Sequence, residues 1–362
     1  MSEKKSDKKT YYGIGVMSGT SLDGLDIVST LLELSNGCWN YKILNAKTYP
    51  YEDSFVKSLS DVYKFKTIEL IKFHNYYGRY IGNNIVKFIK EYNVKPDYIA
   101  SHGHTVIHNP NKKYTLQIGS GAEIYSVTGI TTVSDFRTQD IALNGQGAPL
   151  VPMGDKLLFS DYDATLNIGG FSNITILNAA QLIAFDICPS NIILNFFALK
   201  EGIKYDKDGE IGKKGSINEQ LLKELDNLDF YSSLPPKSLA RQWVENNILP
   251  VINKYNISNQ DMLRTLYEHI AGQIVNVFNY YKINNTISTG GGTKNSFLIE
   301  LIRSKTKTKI IIPDSLLIDY KEALIFSLLG LLRLLNEVNV LKSVTGAKKD
   351  SSSGVIWGNI KQ

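Results

Sequence analysis

Two stretches of this chain share one build: an apolar strand runs into a turn of glycines and small polar residues and leaves as a second strand. No other feature constrains the fold as much. The first stretch is Tyr12-Gly13-Ile14-Gly15-Val16-Met17-Ser18-Gly19-Thr20-Ser21-Leu22-Asp23-Gly24-Leu25-Asp26, and the second is Ala164-Thr165-Leu166-Asn167-Ile168-Gly169-Gly170-Phe171-Ser172-Asn173-Ile174-Thr175-Ile176-Leu177. Glycine lets a backbone turn sharply and approach an anion closely, and amides and hydroxyls of Ser18, Thr20 and Ser21 are suited to donate to phosphate oxygens. Asp23 and Asp26 add carboxylates where a hydrated magnesium ion on nucleotide phosphates needs oxygen ligands. The pattern is not a Walker loop, which places Gly-Lys-Ser/Thr before a helix. A plain glycine hairpin needs the same residues, so the residues alone leave both readings open.

Around these hairpins the chain alternates strand and helix patterns. Residues 41–46 read as a third strand, and 68–92 carry apolar residues at helical spacing before Pro96. A buried strand follows at 98–101 and another at 130–133. Residues 144–149, with two glycines and a proline, read either as a segment crossing between domains or as an ordinary loop. Residues 203–217, rich in Lys, Asp and Gly, read as an exposed loop before a helix from Asn218. Ser258 or Asn259 is placed to cap a long helix reaching Tyr281, and 318–338 reads as another. Between them Ile287-Ser288-Thr289 leads into Gly290-Gly291-Gly292, which reads either as a turn on which a flat ring can sit directly on backbone or as an ordinary tight turn.

A chain of 362 residues with 43% hydrophobic content buries large cores, and its length favours about two domains. Cys38 and Cys188 have no paired spacing, which argues against a disulfide framework or structural zinc and for a reducing compartment. The lysine-rich start lacks the apolar core of a secretion signal, and no apolar run is long enough to span a bilayer. A cytoplasmic protein is expected, with no membrane partner. The formal charge of +5 is spread along the chain without a compact basic groove and stacking aromatics, so no nucleic-acid partner is expected. The basic run 303–309 reads as a solvated helix end entering a strand.

The wording Met17-Ser18-Gly19-Thr20-Ser21-Leu22-Asp23-Gly24-Leu25-Asp26 closely resembles the N-terminal signature of the anhydro-N-acetylmuramic acid kinases. Further matching blocks follow in family order and cover almost the whole chain. They are Ser101-His102-Gly103-His104-Thr105, Thr115-Leu116-Gln117-Ile118-Gly119, Asp135-Phe136-Arg137 through Gln146-Gly147-Ala148-Pro149-Leu150-Val151-Pro152, Asn167-Ile168-Gly169-Gly170-Phe171-Ser172-Asn173, and Gly290-Gly291-Gly292-Thr293-Lys294-Asn295. The resemblance implies an α/β fold, the two-domain actin-like (ribonuclease-H-like) sugar-kinase fold with an interdomain cleft. An N-terminal domain is expected over 1–134, rejoined by the tail 340–362, and a C-terminal domain over 135–339. It also implies ATP and Mg2+, with nucleotide contacts from Gly19, Thr20, Ser21, Leu22, Asp23, Gly24, Leu25, Asp26, Asn167, Gly169, Gly170, Gly290, Gly291 and Gly292, and Asp23 as a metal contact. A homodimer is the family's habit.

In the same family a catalytic base is the Asp of a Phe-Asp-Thr-Gly-Pro-Gly-Asn block. The aligned stretch here, Phe185-Asp186-Ile187-Cys188-Pro189-Ser190-Asn191, keeps Asp186, Pro189 and Asn191 and departs at Ile187, Cys188 and Ser190. Asp186 ends an apolar strand before a helix, which suits either a base or a helix-capping aspartate. Sugar-site candidates are His104, Thr105, Arg137, Asp140 and Glu322. A guanidinium at Arg137 could bind a lactyl carboxylate or join an ion pair between domains. His102 and His104 suit hydrogen bonding in a cleft better than metal ligation; the family more often has Gln where His104 stands. Glu322 matches a family glutamate near the sugar, or is a first-turn helix acid. The resemblance thus implies an ATP-dependent kinase that opens 1,6-anhydro-N-acetylmuramic acid hydrolytically and phosphorylates O6 in peptidoglycan recycling. Alternatives are a levoglucosan-type anhydrosugar kinase and a non-catalytic nucleotide-binding regulator.

Overall fold

A computed structural model describes residues 8–19 and 22–359; Thr20 and Ser21 of the first turn lie outside the described residues. The chain divides into two compact units, Met1–Leu158 with Tyr320–Gln362, and Phe159–Asp319.

Unit one is built on strands β1 (Lys9–Met17), β2 (Gly24–Ser35), β3 (Cys38–Pro50) and β4 (Tyr98–Ser101). A ribbon of β5 (His104–Asn109) and β6 (Tyr114–Ile118) follows, then β7 (Thr132–Ser134). In unit two come β8 (Ala164–Ile168), β9 (Phe171–Ile176), β10 (Ile183–Pro189), β11 (Asn285–Thr289) and β12 (Lys309–Ile311). The chain returns to unit one for β13 (Val355–Trp357).

The main sheet of unit one has the order β13-β7-β4-β1-β2-β3. β1 pairs antiparallel with β2 and β2 with β3, whereas β4 lies parallel to β1 and β7 parallel to β4. The sheet of unit two, β10-β9-β8-β11-β12, repeats that scheme: β8–β9 and β9–β10 are antiparallel, β8–β11 and β11–β12 parallel. This doubled pattern is the ribonuclease-H-like core of the actin-like sugar-kinase fold. The parallel pairs require crossover helices, which cover the sheets and leave the central strands apolar on both faces.

Those helices follow from periodicity and capping. In Thr67–Tyr92 the buried residues Tyr77, Ile81, Ile85 and Phe88 recur every three or four positions, giving a stripe packed with Ile14, Val16 and Ile99 in one core. Asn93, with φ 50°, stops this helix in the left-handed conformation. In unit two Ser258 caps Asn259–Tyr280, its hydroxyl accepting from the Asp261 amide at 3.1 Å. That helix buries Leu263, Leu266, Ile270 and Ile274 in the core of its sheet.

Several expectations shift. The expected domain breaks, after 134 and after 339, both fall inside unit one. Segment 144–149 also belongs to unit one, held by the Gly147 amide on Asp140 and the Gln146 amide on the Thr345 carbonyl. The tail does rejoin the first sheet, β13 pairing antiparallel with β7. Residues 203–217 are not simply exposed: buried Asp206 accepts from the amides of Ile211 and Gly212 and from the Tyr267 hydroxyl, pinning short 3₁₀ turns to the core.

Candidate active site

In unit one a cavity of about 320 Å³ is lined by Met17, Ser18, Gly19, His102, Thr105, Arg137 and Glu322. Met17 ends β1, and Ser18 and Gly19 open the turn beyond it. Ser18 is buried, its Oγ accepting from the Tyr51 hydroxyl at 2.9 Å, and Tyr51 is in turn 2.6 Å from the Tyr77 hydroxyl. His104 stands behind Ser18, with Nδ1 3.5 Å from Oγ. It is itself buried and does not line the cavity.

His102 follows β4 and is tied by its amide to the Val16 carbonyl at 3.1 Å. Its Nδ1 is 2.9 Å from the Gly103 carbonyl, which can only accept, so the proton sits on Nδ1 and Nε2 is an acceptor. Into that acceptor Arg137 donates from Nε at 3.0 Å and Nη2 at 2.8 Å, while Nη1 donates to the Gly147 carbonyl at 2.6 Å. Burial and the neighbouring guanidinium hold the His102 pKa well below its ordinary value, which keeps the ring neutral. Burial pushes Arg137 down to about 10, opposed by Glu322, so the guanidinium stays charged at neutral pH.

Asp140 does not face the cavity. It is fully buried, accepting from the Gly147 amide at 2.7 Å through Oδ2 and from Thr345 Oγ1 at 2.8 Å through Oδ1. It therefore fixes the loop whose carbonyl holds Arg137. Glu322 lies well past the first turn of the helix Ser315–Leu334, which removes the reading of a first-turn acid. The protein around it pushes its carboxyl up, opposed by Lys321 and Arg137, although the side chain opens to the cavity.

At the far side of the first turn, Leu22 has φ 57° and its amide reaches the Gly19 carbonyl at 3.5 Å. Gly24 serves packing: a Cβ there would meet Thr48 Cγ2 at 2.5 Å and the Tyr49 carbonyl at 2.8 Å. Leu25 is core, and Asp26 accepts from Thr48 Oγ1 at 2.6 Å. Asp23 is exposed. Among the described residues no three His, Cys, Asp or Glu side chains gather as a metal site.

In unit two the β8–β9 turn and the triple-glycine turn come together. Gly290 has φ 83°, and a Cβ there would stand 2.5 Å from Asn167 Oδ1 and 2.8 Å from the Ile168 carbonyl. A side chain would thus separate the two turns. Gly170 and Gly291 have nothing within 4 Å of the position a Cβ would take, an open backbone surface of the kind a nucleotide needs. The Gly169 carbonyl accepts from the Asn191 amide at 3.1 Å, at the start of the helix Asn191–Lys200. In a trans peptide the N–H points opposite to the C=O, so the Gly170 N–H is directed away from that helix, a donor suited to an anion.

Asp186 lies on the edge strand β10 at a bulge between Asp186 and Cys188. Its Oδ2 accepts from the Leu239 amide at 2.8 Å, and its own amide donates to the Lys237 carbonyl at 3.2 Å. The N-cap of the following helix is Ser190, so Asp186 is not its capping residue. Burial raises the Asp186 pKa, opposed by the Leu239 amide. The departures from the family block turn inward: Ile187, Cys188 and Ser190 are buried, and the Ser190 hydroxyl bonds that of Ser172.

His102 and Met17 were not among the sugar-site residues expected from sequence. The signal for His102 was its place beside His104 in one motif; the cavity lining and the Arg137 contact distinguish the two.

A model of the family described as anhydro-N-acetylmuramic acid kinase matches residues 10–359. The anhydro-N-acetylmuramic acid kinase of Clostridioides difficile is 35% identical over 384 residues, covering 96% of this chain and 98% of that protein. That of Pasteurella multocida is 34% identical over 373 residues, covering 96% and 97%. That of Caldanaerobacter subterraneus subsp. tengcongensis is 32% identical over 379 residues, covering 95% and 96%. This chain belongs to the anhydro-N-acetylmuramic acid kinase family.

Proposed function

We propose that this protein uses magnesium-ATP to convert 1,6-anhydro-N-acetylmuramic acid and water into N-acetylmuramic acid 6-phosphate, a step of peptidoglycan recycling. Support beyond family membership comes from Arg137. Its guanidinium lines the cavity, is fixed by two neutral acceptors, and has no ion-pair partner within salt-bridge distance among the described residues. Five N–H donors with three engaged leave two, one on each terminal nitrogen, for an anionic ligand group such as the lactyl carboxylate.

The roles follow from chemistry. Water attacks the anomeric carbon as the C1–O6 bond breaks, and O6 forms the new bond to the γ-phosphorus of ATP while ADP leaves. The proton released by the water goes to Asp186. One carboxylate suffices because the phosphoryl group takes the place of the acid that normally protonates the leaving oxygen. Asp186 suits a base: its raised proton affinity makes it a better acceptor than an ordinary aspartate. The Gly170 N–H and the glycine turn at 290–292 are proposed to hold the nucleotide, Glu322 and Thr105 to bind sugar hydroxyls. Magnesium supplies neutralisation of phosphate charge, with Asp23 the residue proposed to hold it through water.

The test is ATP consumption with anhydro-N-acetylmuramic acid and, separately, levoglucosan, followed by product mass. Turnover with the first and a product heavier by one phosphoryl group plus one water is expected. Preference for levoglucosan would overturn the substrate, and no sugar-dependent turnover would overturn the kinase reading.

A further inference from the structure

The segment that touches Asp186 has an anchor of its own that the proposed chemistry does not use. In the helix Asn259–Tyr280, His269 is 2% exposed and lies between two partners. Its Nδ1 is 2.5 Å from Asp226 Oδ1 and its Nε2 is 2.9 Å from the Tyr231 hydroxyl. A carboxylate accepts, so Nδ1 carries a proton toward Asp226, and Nε2 shares a hydrogen bond with the Tyr231 hydroxyl. Gln273 Nε2 donates to the same Asp226 oxygen at 2.9 Å.

From Tyr231 the structure continues to Asp186 in short steps. The Tyr231 ring packs edge-on against His269 and Trp243, and Phe230 packs on Trp243 as well. The Phe230 carbonyl accepts from Lys237 Nζ at 3.0 Å, whose ammonium also lies 4.6 Å from the Phe230 ring centroid. The Lys237 carbonyl takes the Asp186 amide, and the Leu239 amide meets the Asp186 carboxylate. Asp186 is on an edge strand, and among the described residues it is this segment whose Lys237 carbonyl takes its amide. Within this chain His269 is buried while Asp226 is exposed, so it is the imidazole that is left with a costly unpaired nitrogen when either of its two partners is removed.

We propose that Asp226, His269 and Tyr231 are positioning residues that lock residues 230–239 against the edge strand and so hold the Leu239 N–H on the Asp186 carboxylate. The inference rests on Asp186 being the base. Releasing the anchor has two effects. The carboxylate loses its orientation, and it loses the donor that favours its ionised form, so its proton affinity rises further. The other titratable groups around this strand are the Cys188 thiol, which senses Asp186 and Asp226, and the Lys237 ammonium and Tyr231 hydroxyl, which sense Cys188. Burial holds Cys188 up to about 12 and Tyr231 far above its ordinary range, so neither titrates where a carboxylate does.

Tyr231→Phe in the full chain removes one hydroxyl and keeps the ring. Its kcat is expected to fall about tenfold while KM for magnesium-ATP stays near wild type. The acid limb of kcat/KM is expected to move to higher pH. Asp226→Asn, which keeps an acceptor for His269 but weakens it, should move the limb in the same direction by less. An unchanged kcat and acid limb in Tyr231→Phe would overturn the positioning role, as would a loss of kcat with the limb unmoved, which a merely structural contact would give. Asp186→Asn measured alongside separates the two levels. If it is inactive while Tyr231→Phe is normal, only the positioning fails; if it is active, the base assignment falls and this inference with it.

Discussion

Arg137→Ala isolates the recognition of the sugar's charge. Three of the five guanidinium donors are engaged, two on His102 Nε2 and one on the Gly147 carbonyl. The substitution therefore does two separable things. It leaves the His102 and Gly147 acceptors without their donor, a cost shared by every substrate. It also removes the two remaining N–H groups and the charge, a cost felt only by a ligand with an anion. A hydrogen bond between charged groups in a partly desolvated site contributes about 1.5–3 kcal/mol, which corresponds to about one to two decades in kcat/KM. The shared cost cancels when kcat/KM for anhydro-N-acetylmuramic acid is divided by kcat/KM for levoglucosan. That ratio is expected to fall at least about tenfold in Arg137→Ala. Equal losses on both sugars would refute the argument and leave Arg137 as a brace for the loop carrying Gly147.

Two further outcomes follow from named groups. Asp186→Asn keeps shape and removes the base, so kcat should drop by about a hundredfold or more with magnesium-ATP affinity near wild type; in the wild-type enzyme the acid limb of kcat/KM should lie above the range of an ordinary aspartate, because burial raises that carboxyl, and activity within a few-fold of wild type in the variant would retire the assignment. The folded pKa of His102 is depressed below its ordinary 6.5, so the stability it contributes is present above that value and is lost as pH falls toward the folded pKa; His102→Gln, which keeps an acceptor for Arg137 without a titrating ring, should flatten this acid loss in urea melts, and an unchanged slope would show that the ring does not carry it.

Much of the fold was legible because local rules and tertiary packing agree. The strand at 98–101 and a helix over 68–92 were recognisable from apolar spacing, and a cap at Ser258 or Asn259 from residue type, since each is set by neighbours in sequence; the cap is Ser258. What was not legible depends on distant partners. Residues 203–217 read as exposed because Lys, Asp and Gly dominate them, yet one buried carboxylate, Asp206, satisfies two local amides and a tyrosine from another helix. Asp140 read as a sugar contact because it sits near Arg137 in sequence; a hydroxyl from Thr345 turns it inward instead. His102 and His104 share one sequence motif, and contacts from distant residues separate them: the Arg137 guanidinium meets the His102 ring beside the cavity, while the His104 ring meets Ser18. The Leu239 amide on Asp186 was invisible for the same reason: no spacing rule relates a carboxylate to a backbone donor in a separate loop.

The central claim is that one event opens the anhydro ring with water and transfers phosphate to O6. Turnover in oxygen-18 water, quenched before the reducing sugar exchanges its anomeric oxygen, tests it most directly by product mass. One heavy oxygen in the sugar at the anomeric hydroxyl, none in the transferred phosphate, and one ADP formed per sugar phosphate are predicted. Heavy oxygen appearing chiefly in free phosphate, or a phosphorylated sugar that keeps its anhydro ring, would contradict the account.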